Sequence, residues 1–170
     1  IIMTSFENKE DKIIFNDYPE FQPNLKPRDI FLNGSFGGTY WRPIYSSVTN
    51  KKYNNIHKKY PKKWWDKIPQ DHLIKPYNNY EISINKYKVK VGTTLEFWEN
   101  KGWITKNHPY GWVHWYCDFF KGKRCQDDER QIKRWLGVTG PNGRFRKWLI
   151  SLIKKTKTKK WDDETISPKI

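Results

Sequence analysis

The strongest constraint in this sequence is a helix-length run of rings. Behind Pro109, which suits the first turn of a helix, Trp112, Trp115, Tyr116, Phe119 and Phe120 recur at i, i+3, i+4, i+7 and i+8, and Gly122 supplies a stop. A stripe that wide must be buried, so the rest of the chain is expected to pack around it. The partners are mostly rings as well: 10 Trp, 10 Tyr and 9 Phe stand against one Met. Such a core brings large buried areas and polar ring edges that need hydrogen-bond partners. With 170 residues the chain is long enough to build it without disulfides or metals. His114 lies off the stripe and is expected to be solvated. Cys117 and Cys125 are the only two cysteines; with no histidine at a zinc-motif spacing they read as reduced thiols, with a redox pair as the alternative.

Two further helices follow the stripe. In QDDERQIKRWLGV, Asp127, Asp128 and Glu129 load the first turn and Lys133 and Arg134 the last, which suits the helix dipole, while Ile132, Trp135 and Leu136 face inward. Asn142 is placed to cap the next helix, on which Phe145, Trp148, Leu149, Leu152 and Ile153 form an apolar stripe opposite Arg144, Arg146, Lys147, Lys154 and Lys155. Beyond Ile153 periodicity is lost, which predicts a basic, polar tail over 154–170.

Upstream, residues 1–26 read as an extended arm interrupted by prolines, and 27–153 as a single aromatic-rich basic domain. KPRDIFLNG predicts one or two helical turns between Pro27 and Gly34. Gly37 and Gly38 in SFGGTYWRPI fit either a tight turn seating Tyr40 and Trp41 in the core or a backbone approach to phosphate, and the turn is the better fit. Residues 46–63 read as a solvated connection. Trp64 and Trp65 are adjacent in a short helix, so at most one faces the core squarely. EISINKYKVKVG alternates in the manner of a half-buried strand or hairpin, and Thr93 with Glu96 forms a capping box for a short helix over 94–101. The resulting fold class is α+β, mainly α, with a small β-hairpin or strand. The spacing of the 94–101 helix and the next resembles helix-turn-helix, but with too many residues between them.

The stretch GWVHWYCDFFKGKRCQDDERQIKRW, together with PRDIFLNGSFGGTYW and LEFWENKGWI, resembles an uncharacterised family of small basic proteins of plants, algae, bacteria and large DNA viruses. That family shares the pattern GW-x-x-WYC, then G-[KR]-R, then DD-x-RQI-x-RW, and no activity comes with the resemblance. Lys123 stands where the first Arg of the pair is usual, which keeps the charge and loses the planar fork. The Lys- and Asn-rich composition suits an AT-rich genome such as that of a giant virus.

Charge sets the partner class. The 33 Lys plus Arg exceed 18 Asp plus Glu, giving +15, a field that gathers polyanions. The expected function is nucleic-acid binding, chiefly to duplex DNA, through Lys121, Lys123, Arg124, Arg130, Lys133, Arg134, Arg144, Arg146 and Lys147. Trp41, Trp65 and Trp103 are candidates for base stacking. One alternative is a DNA repair or base-modifying enzyme with an aromatic pocket, for which Asp118, Asp127, Asp128 and Glu129 are the candidate acid/base or magnesium-holding groups. Another is a structural DNA-packaging or virion protein. No cofactor or metal motif is present in the sequence. The acidic start and the lack of a spanning-length apolar run predict an intracellular, non-secreted, non-membrane protein, in a nucleus, a virus factory or a virion.

Overall fold

The computed structural model describes residues 13–156; the start of the expected arm and the expected tail from residue 157 on lie outside the described residues. The chain divides into two compact units, Leu25–Arg124 and the segment up to Asn24 together with the chain from Cys125 onward. The architecture is α+β and mainly α, with one two-stranded antiparallel sheet among the described residues.

The larger unit opens with α1 (Pro27–Leu32), where Pro27 takes the first helical position and Asp29 accepts from the Lys26 N–H at 3.0 Å. The glycines that follow are forced by close packing. Gly37 and Gly38 have φ of 55° and 85°, and a Cβ would lie 2.5 Å from the Tyr80 ring or 3.1 Å from the Asp71 carbonyl. Their free faces are covered by protein, so this is a tight turn and not a phosphate loop. Trp41 emerges from it fully buried.

The hairpin lies elsewhere than the alternation suggests. β1 (Ile44–Ser46) pairs with β2 (Lys51–Tyr53), Ile44 opposite Tyr53, with Asn50 at φ 56° in the turn; the turn and β2 fall inside the stretch expected to be a solvated connection. The expected strand at 82–91 is instead a 3-10 turn, Ile82–Ile84, and loop. Its backbone is used for docking: Asn85 is buried, accepts from Tyr87 N–H at 2.8 Å and donates to Ser35 O, while Lys86 N–H donates to Asn33 O. An asparagine that bonds its own backbone two residues on competes with a ladder.

A 3-10 turn, Lys62–Trp64, leaves Trp64 and Trp65 each 8% exposed, so both adjacent indoles are buried. Trp65 turns back to donate to His57 O at 2.9 Å while Trp64 stacks on Tyr60, an arrangement open to a tight turn and closed to a continuing α-helix. α2 (Asp71–Ile74) buries Leu73. In α3 (Leu95–Asn100) the cap is Thr94, whose hydroxyl accepts from Phe97 N–H at 3.2 Å, one residue later than the capping box predicts.

α4 (Trp112–Phe120) is the expected central helix, with Trp115, Tyr116 and Phe119 buried and Trp112 and Phe120 half-buried. Burial goes further round than one stripe: Val113, His114 and Cys117 are also inside, so the solvated His114 is a wrong expectation. The residue before the helix, Gly111, has no side chain with which to cap it. The Tyr40 hydroxyl does so instead, accepting from His114 N–H at 2.8 Å while donating to Tyr110 O at 2.7 Å.

In the smaller unit, α5 (Asp128–Thr139) buries Asp128, Gln131 and Ile132, and Phe21 packs edge-on against Trp135 at 5.1 Å. α6 (Arg144–Thr156) packs against α5. Lys147 N–H donates to Gly143 O at 3.0 Å, which puts Gly143 and not Asn142 at its start. No α6 side chain is fully buried, and Trp148 is 47% exposed.

Gly34 and Gly102 test this packing because they share a backbone conformation, φ 60° and 65°. A Cβ on Gly34 would sit 2.0 Å from Ile84 O, whereas nothing lies within 4 Å of one on Gly102. Gly102→Ala is expected to cost about 1–2 kcal/mol from backbone strain, and Gly34→Ala clearly more, read from urea unfolding midpoints. Equal midpoints would contradict the docking of residues 82–85 on this turn.

Candidate nucleic-acid interface and a buried polar cluster

The basic residues singled out by sequence fall into two sets. In the larger unit Lys121, Lys123 and Arg124 follow the end of α4, and all three are engaged. Lys121 donates to Lys59 O and lies over the Tyr60 ring. Lys123 reaches Asp118 at 3.1 Å. Arg124 donates to Phe119 O and stacks 3.8 Å from the Phe119 ring centroid. Their positive charge is exposed, but much of their bonding capacity serves the helix end.

In the smaller unit Arg130 holds Asp127 through two bonds of 2.5 and 2.9 Å, and Lys133 lies 3.6 Å from Glu129 with both exposed. Arg134 is pushed below its ordinary pKa, first by burial and then by the fields of Arg130 and Arg144, with Asp127 opposing them. On α6, residues 144, 147, 148, 151 and 155 share a face by helical period. That face carries Arg144, Lys147, Ser151 and Lys155, all exposed, together with the exposed Trp148. Neither Lys147 nor Arg146 has a carboxylate partner among the described residues. Trp148 keeps the stripe contact that its spacing from Phe145 predicts, ring centroids 6.2 Å apart, but lies at the edge of the stripe, which leaves it 47% exposed.

The stacking candidates are corrected. Trp41 is fully buried and Trp65 8% exposed, each locked edge-on against Phe31 or other core rings, so neither can offer a face to a base. Trp103 is half-buried against Phe97 at 5.8 Å.

The acidic candidates do not converge. Asp127 accepts from Arg130 and Gln131, and Asp128 is 2% exposed and accepts from Cys125 N–H at 2.9 Å, closing the turn before α5. Glu129 faces solvent. Among the described residues no three or more His, Cys, Asp or Glu side chains are grouped to hold a metal ion. Cys117 and Cys125 are free thiols, Cys117 buried and pushed up in pKa by burial and by Asp118.

Asp118 anchors a cluster that the sequence does not announce. Its carboxylate accepts from Tyr60 Oη at 3.0 Å and Lys123 Nζ at 3.1 Å, and lies 3.5 Å from His108 Nε2. Burial alone would raise its pKa, but the bonds from His108, Lys123 and Tyr60 outweigh it and hold the carboxyl well below the usual range. His108 stands edge-on to His114, whose ring in turn faces Trp41. Trp41 Nε1, His108 Nδ1 and His114 Nδ1 are buried with no hydrogen-bond partner among the described residues. A buried Asp–His–Tyr set of this kind can hold and shift protons, yet His108 is 4% and His114 7% exposed, too enclosed to meet a polymeric substrate.

A cleft of about 400 Å³, measured out to open solvent, lies on the larger unit between Arg42 and the rings of Tyr77, Tyr80 and Trp98, with no Asp or Glu in its lining. No described helix is long and apolar enough to cross a membrane. No family model matches the chain, and neither the curated proteins nor the solved structures hold a significant match to it.

Burial, then the neighbouring His108, pushes the His114 imidazole down to about 3. In the unfolded chain it titrates near ~6.5. Between those values the unfolded state binds a proton that the folded state does not, so stability falls on acidification by up to about 1.4 kcal/mol per pH unit for this group. Asp118 acts in the same direction lower down: its depressed pKa gives stability that is present above its unfolded value and lost as pH falls below it. The melting temperature is thus expected to drop steadily from pH 6.5 to 4.5, and His114→Gln to flatten that slope. An unchanged slope would show that His114 is not the titrating group.

Proposed function

We propose that this protein binds nucleic acid, with duplex DNA as the main partner, through the exposed basic face of α6 and the neighbouring arginines of α5. The observation that carries this reading is the setting of Trp148. A large ring left 47% exposed, its centroid 6.2 Å from that of Phe145, costs apolar hydration, and by helical period it shares its side of α6 with Arg144, Lys147 and Lys155, the kind of cations that a phosphate backbone requires. Lys and Arg contacts to phosphate supply the salt-dependent affinity, and an exposed ring between them can stack on a base or wedge at a base step. The overall charge of +15 supplies the long-range attraction. The likeness to a family of small basic proteins is compatible with this and adds no activity to it.

Catalysis on nucleic acid is the weaker reading. The candidate carboxylates each serve a helix end or a buried pair, and the aromatic cleft has none in its lining.

The test is anisotropy of a labelled random duplex across a salt series. Affinity is expected to fall steeply with salt. Charge reversal at Arg144, Lys147 and Lys155 should make the log–log slope shallower by about 0.9 per lost phosphate contact while leaving the melting temperature nearly unchanged, because these groups are exposed. Trp148→Ala is expected to weaken binding by roughly 1–3 kcal/mol if its ring stacks on a base. Binding that survives the triple reversal undiminished would remove α6 from the interface. Stoichiometric coating with formation of multimers would point to packaging.

A further inference from the structure

Arg42 is the group that the nucleic-acid reading leaves unexplained. Its backbone is fixed by the Tyr110 hydroxyl, which donates to Arg42 O at 2.8 Å, and Trp41 before it is fully buried. Its guanidinium is half-buried, donates once, to Thr39 O at 3.0 Å, and lies 5.1 Å from the centre of the Tyr77 ring. Most of its five N–H donors therefore remain unused among the described residues, and no carboxylate answers its charge. Burial accordingly lowers its affinity for the proton. Glu81, beside Tyr80 in sequence, is committed to Lys75 and Ser83.

The surroundings are built to one pattern. The cleft walls are rings, Tyr77, Tyr80 and Trp98 among them, and Lys90 Nζ stands 5.5 Å from the Tyr77 centroid and 5.8 Å from that of Tyr80. The enclosed part beside the rings has room for about one water and the rest of the cleft is open to solvent, so a ligand would set an oxyanion at Arg42 and lay its ring across the open mouth. A planar guanidinium fork matches an oxyanion, and flat walls match a flat ring.

We propose that this cleft binds a small molecule that joins a planar ring to a phosphate or carboxylate, the oxyanion paired with Arg42 and the ring laid against Tyr77, Tyr80 or Trp98. The site does not depend on the α6 face and stands or falls separately from it. The oxyanion selects for charge and the rings for flatness, so neither half of the ligand is sufficient.

Isothermal titration of the full chain tests this with five probes: phenyl phosphate, adenosine 5′-monophosphate and benzoate, which carry both halves, and adenosine and inorganic phosphate, which carry one each. At least one of the first three is expected to bind at least tenfold more tightly than either half-ligand, and which one does so distinguishes a phosphate from a carboxylate head. Arg42→Gln is expected to weaken that ligand at least tenfold with a melting temperature equal to or above that of the parent, since a desolvated and unanswered cation is removed. Arg42→Lys should recover part of the loss. Tyr77→Leu, a change at a half-exposed ring, should bring the affinity toward that of the ring-free anion. The proposal is overturned if none of the five binds at millimolar concentration, if the half-ligands bind as well as the whole ones, or if both Arg42→Gln and Tyr77→Leu bind like the parent.

Discussion

One hydroxyl organises the larger unit. A core built from rings is stable only if the polar edges it buries find partners, and the Tyr40 Oη answers two demands together, donating to Tyr110 O and accepting the His114 N–H. The second bond replaces the cap that Gly111 cannot supply, so the start of α4 is held by a residue 74 positions away and not by its own neighbours. Burial keeps the phenol far above its usual pKa, so it stays neutral and keeps both functions. Other tyrosines repeat the device: Tyr116 donates to Leu25 O, Tyr110 to Arg42 O and Tyr60 to Asp118. Four phenols thus tie α4 and the segment before it to distant parts of the chain, three through backbone carbonyls and Tyr60 through the Asp118 carboxylate, which is how a core rich in rings obtains specific packing.

That scheme places the polar groups as well. With Tyr40 turned to the helix start, Trp41 fills the centre and the next side chain, Arg42, is directed to the cleft edge, so one short segment supplies both a buried ring and a half-buried cation. His114, carried inward by the N–H that Tyr40 accepts, has to be neutral there. Asp118, one turn further along α4, collects Tyr60, His108 and Lys123. Lys123, a phosphate candidate by its position in the sequence, is thereby also a partner in holding a carboxylate at the helix end.

What could be read from sequence follows the range of the interactions involved. The α4 stripe, the short helix after Pro27, the stop at Gly122 and the dipole-matched start of α5 are local patterns, and all of them are present. The hairpin at 44–53 escaped because its residues, including Lys51, Lys52 and Asn50, resemble a solvated connection, while the alternation at 82–91 was convincing but was overridden by Asn85, whose side chain bonds Tyr87 N–H and Ser35 O. Trp65 and His114 were misjudged because a single-helix projection does not register a 3-10 turn or a tyrosine reaching in from residue 40. Arg42 could not be recognised at all, since its meaning depends on Tyr77 and Lys90 being close in space.

The chain's excess of cations is best understood from where each ends. Around the end of α4 and the start of α5, Lys121, Lys123, Arg124 and Arg130 are bound to backbone carbonyls, carboxylates or ring faces, so removing them would disturb helix ends as well as any partner. On α6 the balance is different. Lys147 faces water without a carboxylate among the described residues, next to a tryptophan that a purely structural helix would be expected to bury. Net charge therefore understates the contrast between positions: a similar number of lysines and arginines does different work according to whether an internal acceptor is within reach. Where none is within reach among the described residues, as on the face that carries Trp148, the charge is left exposed to solvent, and it is there that the proposed contact with phosphates is placed.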